Sequence, residues 1–135
     1  MIRIRIDRSK CIGCLTCVSA CIVFHEASDS RNRVVIDSFN KPAPIFCRHC
    51  TLPECVYTCM TGAMTKNAET GFVEHNPRHC AKCGMCIMAC PYGVLKPDRI
   101  SGDIMKCDMC GTRREGPLCV EKCPMGALEQ REVYQ

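Results

Sequence analysis

Sixteen cysteines set out as four groups of four constrain this 135-residue chain more than any other feature. The first group is Cys11, Cys14, Cys17 and Cys21, and the third is Cys80, Cys83, Cys86 and Cys90. Both have the spacing C-x2-C-x2-C-x3-C. The second group, Cys47, Cys50, Cys55 and Cys59, widens the middle gap to four residues. The fourth, Cys107, Cys110, Cys119 and Cys123, widens it to eight. Three groups end as Cys-(Pro or Met)-x-Gly-(Ala or Val) and run into a strand-like segment, as in Cys123-Pro124-Met125-Gly126-Ala127. The chain is therefore an internal repeat with one unit per cysteine group.

Without its cysteines, only about a third of the chain is hydrophobic, which is thin for a self-sufficient core. There is no Trp, and aromatic residues make up 5%. Something other than side-chain packing has to fill the interior. The run C-x2-C-x2-C-x3-C-P is the bacterial signature for [4Fe–4S] ligation, so four groups imply four [4Fe–4S] clusters. The iron-free chain is expected to be largely unfolded, because ligands and core are the same residues. Structural zinc prefers separated C-x2-C pairs, and groups one and three match it poorly. The N-terminus lacks the apolar stretch and cleavage site of a secretory signal. The expected location is cytoplasmic, where cysteine serves metals rather than disulfides.

The formal charge of +4 is misleading, since four clusters of about −2 each bring the loaded protein to about −4. The basic residues are scattered, and the longest run is Arg113-Arg114. That disfavours nucleic acid as a partner. No segment reaches the ~18 consecutive apolar residues of a membrane span, so no direct membrane insertion is expected.

Ile2, Ile4 and Ile6 alternate with Arg3 and Arg5 as in a half-buried edge strand. Residues 18–27 read as a short helix carrying Cys21, and residues 34–36 as a strand. Residues 41–44, with two prolines, read as an extended connector. Pro53 marks a helix start. Residues 60–74 read as a hairpin with Gly71 in the turn.

Three cysteines at x2 spacing wrap one cube in a tight loop, and Gly13 eases the close approach of backbone to sulfur. The fourth cysteine lies a helical turn away and, in two-cluster ferredoxins, ligates the neighbouring cube. Cubes should therefore come in pairs. The 20 residues between Cys59 and Cys80 suit a hairpin within one unit, which pairs groups two and three and leaves one with four. Spacing alone leaves the tandem pairing, one with two and three with four, open. A compact chain of this length has a radius of gyration of about 14 Å, placing four cubes about 10–12 Å apart.

No nucleotide fingerprint or catalytic constellation stands out, so the catalytic set is empty and the chain is not expected to be an enzyme itself. His49 and His79 adjoin cysteines and read as structural or solvent-facing, with a hydrogen bond from His49 to cluster sulfur as the alternative. Met60, Met64, Met85, Met88 and Met109 read as flexible filler around the cubes. Residues 112–118, with Arg113 and Arg114, read as a solvated or docking loop.

The order of the groups, the x4 and x8 gaps and the fragment Cys47-Arg48-His49-Cys50 resemble the four-cluster electron-transfer subunits of the dimethyl-sulfoxide-reductase iron–sulfur type. Within that family the short length and Cys59-Met60-Thr61-Gly62-Ala63-Met64 are most similar to the CO dehydrogenase iron–sulfur subunit. The resemblance implies crosswise ligation. Cys11, Cys14, Cys17 and Cys123 would hold one cluster, and Cys107, Cys110, Cys119 and Cys21 its neighbour. Cys47, Cys50, Cys55 and Cys90 would hold a third, and Cys80, Cys83, Cys86 and Cys59 the fourth.

It also implies an α+β fold of two ferredoxin-like dicluster units with short strands and short helices around four [4Fe–4S] clusters. Residues 1–40 with 100–135 would form one unit, and 41–99 an inserted one. The implied function is relay of electrons between a redox enzyme and a second acceptor. The implied partner is a larger redox-enzyme subunit (CO dehydrogenase, formate dehydrogenase, hydrogenase or similar), with a flavin-containing reductase as a further candidate. Longer members contact membrane anchors through C-terminal extensions; twelve residues after Cys123 favour a complex without one. The alternative is a freely diffusing polyferredoxin.

Overall fold

The computed structural model of the protein describes residues 2–111 and 113–132. Strand β1 (Ile2–Ile6) leads into helix α1 (Thr16–His25), followed by β2 (Arg33–Ile36) and β3 (Pro42–Ile45). Next come α2 (Glu54–Thr58), the hairpin strands β4 (Met64–Lys66) and β5 (Val73–His75), and α3 (Met85–Ala89). Strands β6 (Lys96–Pro97) and β7 (Ile104–Met105), helix α4 (Leu118–Lys122) and β8 (Leu128–Glu132) complete the described chain. This is a small α+β fold, and every described sheet has two antiparallel strands.

The elements nest. β1 pairs with β8, with Ile6 opposite Leu128, so the first and last described strands meet. Helix α1 packs against α4, and α2 packs against α3. Two apolar clusters follow from this. Buried Phe46, Cys119 and Leu128 gather Ile4, Ile6, Cys17 and Cys123 around them. Buried Met64, Cys86, Leu95 and Ile104 gather Cys55, Cys59, Cys80 and Cys90. Cysteines stand in both, in the middle of what little core there is.

Helices α2, α3 and α4 have five residues each. That is far below the ~12–15 residues an isolated helix needs in water, so tertiary contacts at their cysteines hold them. Helix α1 starts and ends two residues before the 18–27 expected from the pattern. Glu26 closes it in a left-handed conformation (φ 49°), donating its N–H to the carbonyls of Ile22 and Val23, a common way for a helix to end.

The expected connector at residues 41–44 is instead mostly strand. Pro42 and Pro44 of β3 stand opposite Ile36 and Val34 of β2. In a two-stranded sheet each proline can turn its missing N–H outward, so the residue type that argued against a strand is tolerated there. The hairpin between β4 and β5 forms as expected. Gly71 takes a positive φ of 72°, and the Asn67 side chain accepts the N–H groups of Glu69 and Thr70. No helix among the described residues is long and apolar enough to cross a membrane.

Candidate metal centres

Each cysteine group is built the same way. The residue just before the second cysteine is left-handed in all four: Gly13 (φ 74°), His49 (44°), Lys82 (56°) and Met109 (58°). Only one of these is glycine. The left-handed conformation costs another residue about 1–2 kcal/mol, and such strain collects where a site over-determines the backbone. A short helix then places the last two cysteines of each group around one turn. Cys17 and Cys21 both lie in α1; Cys55, Cys86 and Cys119 lie in α2, α3 and α4, and Cys59, Cys90 and Cys123 close those helices.

All sixteen cysteines are free thiols. Cys11, Cys14, Cys17 and Cys123 line one cavity of about 360 Å³. Cys80, Cys83, Cys86 and Cys59 line a second of about 310 Å³. Cys107, Cys110, Cys119 and Cys21 line a third of about 300 Å³. In each, three cysteines of one group meet the last cysteine of another. Cys47 and Cys50 open instead onto a broad cleft beside Arg48 and Tyr92. Cys50 and Cys55 lie near enough to Cys47 and Cys90 for the thiols to repel one another as anions.

Burial, and after it this mutual repulsion, pushes Cys17 and Cys55 up to about 11. Burial pushes Cys107 up to about 12 and Cys119 higher still. Four crowded thiols of this kind are costly as free thiolates, and a multiply charged metal core relieves that cost directly. The donor set is all sulfur, and the linings of the three cavities are otherwise largely apolar. The residues fit [4Fe–4S] clusters.

Polar hydrogens also collect around the sulfurs. Arg31 N–H donates to Cys21 Sγ at 3.3 Å, and Lys82 N–H to Cys80 Sγ at 3.3 Å. The Thr61 hydroxyl lies 3.5 Å from Cys59 Sγ and draws that thiol down to about 7 against burial. His25 bridges two groups, with Nδ1 3.5 Å from Cys21 Sγ and Nε2 3.2 Å from Asp108. The hydrogen bond to Asp108, then that to Cys21, raises His25 to about 9. Burial opposes ionisation of Asp108, but the His25 hydrogen bond and the Arg31 and His25 charges outweigh it and hold Asp108 at about 2.

Cations ring the loop of the second group. Lys66 Nζ donates to Cys50 O at 2.7 Å, Arg3 to His49 O at 2.8 Å, and Lys106 Nζ to Cys47 Sγ at 3.2 Å. Scattered in the sequence at positions 3, 66 and 106, these three cations converge on one loop in the fold. His49 is almost wholly buried, at 1% exposure, so a solvent-facing role for it is excluded. Its Nδ1 accepts the Val73 N–H at 2.9 Å, which leaves the proton on Nε2, and Nε2 has no partner among the described residues. His79 is exposed.

The methionine expectation holds only in part. Met64 and Met109 are buried, but Met60 and Met88 are 85% and 74% exposed, and Met85 is exposed as well. Met85 and Met88 share the face of α3 that their i, i+3 spacing creates, away from buried Cys86. In the 112–118 segment Arg113 bonds back to Gly116 O at 3.0 Å and pairs with Glu121, so it braces its own loop; Thr112 lies outside the described residues.

Residues 39–133 match the family model of the 4Fe-4S dicluster domain, and residues 3–27 match that of a 4Fe-4S binding domain. The chain is 34% identical over 147 residues to the electron transport protein HydN of Escherichia coli, covering 90% of this chain and 83% of that one. It is 36% identical over 144 residues to the B subunit of the anaerobic dimethyl sulfoxide reductase of Haemophilus influenzae, covering 91% of this chain and 70% of that one. Among solved structures it is similar to a chain of the active site complex BamBC of benzoyl coenzyme A reductase. There the TM-score is 0.55 with 33% identity, over 100% of this chain and 82% of that one.

Proposed function

Because the chain belongs to the 4Fe–4S dicluster domain family, we propose that it relays electrons within a larger oxidoreductase, between a catalytic subunit and a second acceptor. It is an iron–sulfur electron-transfer protein with four [4Fe–4S] clusters, and not itself the catalytic subunit. When bound, each cluster accepts and releases one electron.

The cavities that each combine three cysteines of one group with the last of another carry this reading. They favour crosswise holding: Cys11, Cys14, Cys17 with Cys123; Cys107, Cys110, Cys119 with Cys21; Cys80, Cys83, Cys86 with Cys59. Cys47, Cys50, Cys55 with Cys90 complete the set, supported by their mutual repulsion. The packing of α1 on α4 and of α2 on α3 favours one unit from 1–40 with 100–135 and an inserted one from 41–99. The β6–β7 hairpin runs across that seam, and its Ile104 joins the inserted unit's apolar cluster.

The protein's own residues do the rest. They bury Cys21, Cys86, Cys110 and Cys119, offer N–H groups to the sulfurs of Cys21 and Cys80, and set cations beside the second group. Cys14 and Cys83 are the two exposed cysteines. Exposed Ile12 and Leu15 flank the first, and exposed Met85 the second. These edges are the natural docking points for a donor and an acceptor, since apolar side chains around a redox edge exclude water when a partner covers them.

For the partner, we read a catalytic subunit of CO dehydrogenase, formate dehydrogenase, hydrogenase or a similar enzyme, with a flavin-containing reductase as acceptor. The similarity to a dimethyl sulfoxide reductase subunit and to the BamBC complex supports membership of a complex of that kind. Size-exclusion of native extract tests this. Co-elution of the brown protein with a larger oxidoreductase subunit is expected. A lone iron protein of 15.1 kDa would contradict it and favour a diffusing polyferredoxin.

A further inference from the structure

Lys106 is 4% exposed, and a buried lysine demands a counter-charge. Among the described residues no carboxylate pairs with it. Its ammonium donates to Cys47 Sγ at 3.2 Å and to the carbonyl of Cys107 at 3.0 Å. Its own carbonyl accepts from the Arg31 guanidinium at 3.0 Å, which fixes the backbone just before Cys107. One side chain therefore touches a sulfur of the second cysteine group while its backbone runs directly into the first cysteine of the fourth. These groups belong to different halves of the nested fold, α2 on α3 and α1 on α4.

We propose that Lys106 is the electrostatic bridge between the two dicluster units, favouring the reduced state of the cluster at Cys47 and, more weakly, of the one at Cys107. This rests on the reading that Cys47 and Cys107 are cluster ligands. Reduction adds one negative charge beside a fixed, buried positive one, so the ammonium makes electron uptake easier there than at sites without it. A hydrogen bond to a ligand sulfur acts in the same direction. The bridge thus sets the relative potentials of the two centres an electron must pass between when it crosses from one unit to the other.

The test is an EPR-monitored redox titration of the full chain with K106M, K106Q and K106R, each first assayed for iron. In fully loaded K106M and K106Q, one centre should be about tenfold harder to reduce, a shift of ~59 mV to more negative potential for one electron. A second centre should shift less, the other two should stay in place, and K106R should return most of the shift. Loaded variants with all four potentials unchanged would overturn the proposal. If the variants lose clusters, pulsed EPR of reduced wild-type protein labelled with lysine carrying ¹⁵N only at Nζ decides, because the backbone N–H of Lys82 also meets a cysteine sulfur. A lysine-nitrogen coupling upholds the bridge, and its absence overturns it. Failure of the ligand reading shows separately, as a C47S variant with four unaltered centres.

Discussion

Cys17 and Cys21 stand one turn apart on α1 yet line different cavities, Cys17 with Cys123 and Cys21 with Cys119. On the proposed crosswise holding, one helix would tie two centres together, and α4 with its closing Cys123 would do the same from the other side. C21S should disturb the same centre as C110S, and C17S the same centre as C11S, in EPR spectra of the reduced variants. Matching spectra for C21S and C17S would contradict crosswise holding.

Gly13 adopts a φ of 74°, and a Cβ there would come within 3.2 Å of Pro42 Cβ. G13A therefore combines about 1–2 kcal/mol of left-handed strain with a contact that forces β3 to shift. The thermal midpoint of the loaded protein should fall by several degrees, with the centre at Cys11 lost first. An unchanged midpoint would show that the first loop is not wound tightly around its cluster.

Asp37 closes the turn between β2 and β3. Its carboxylate accepts the N–H groups of Lys41 and Phe39 and pairs with Arg8. Those hydrogen bonds, Lys41 first and then Arg8, hold its pKa below the ordinary 3.8. A depressed carboxylate stabilises the fold above its unfolded value and loses that contribution as pH falls through the folded one. The small difference in thermal midpoint between wild type and D37N should thus be constant near neutrality and close only below pH 3.8. A difference that closes above pH 5 would mean Asp37 is not held ionised by this turn.

Much of this was legible in the sequence because a cluster-binding loop is local: spacing, repeat and cofactor class are all written within runs of about a dozen residues. The nesting was only half legible. Twenty residues between Cys59 and Cys80 suggested it, but spacing permitted the tandem pairing too, and the packing of α1 on α4 involves residues a hundred positions apart. Strand β3 was hidden by Pro42 and Pro44, whose missing N–H groups argue against a strand unless an edge is free. The burial of His49 and Lys106 has no signature in composition or periodicity. The one signal available was position, since both directly adjoin cysteines. Met60 and Met88 misled for the converse reason, because an apolar side chain beside a ligand can still face solvent.

Iron removal should take the fold with it. Both apolar clusters contain cysteines, and five-residue helices cannot persist unaided. Chelation under reducing conditions should abolish most far-ultraviolet circular dichroism and leave no cooperative thermal transition. A sharp transition in iron-free protein would show that the side chains alone suffice.

Counting iron and reducing equivalents in the same anaerobically purified sample tests the relay most directly. The account predicts about sixteen irons per chain and about four electrons taken up on titration with a strong reductant, one per [4Fe–4S] centre. A fully loaded chain holding about eight irons and taking up two electrons would contradict it, because half of the cysteines would then serve something other than electron transfer.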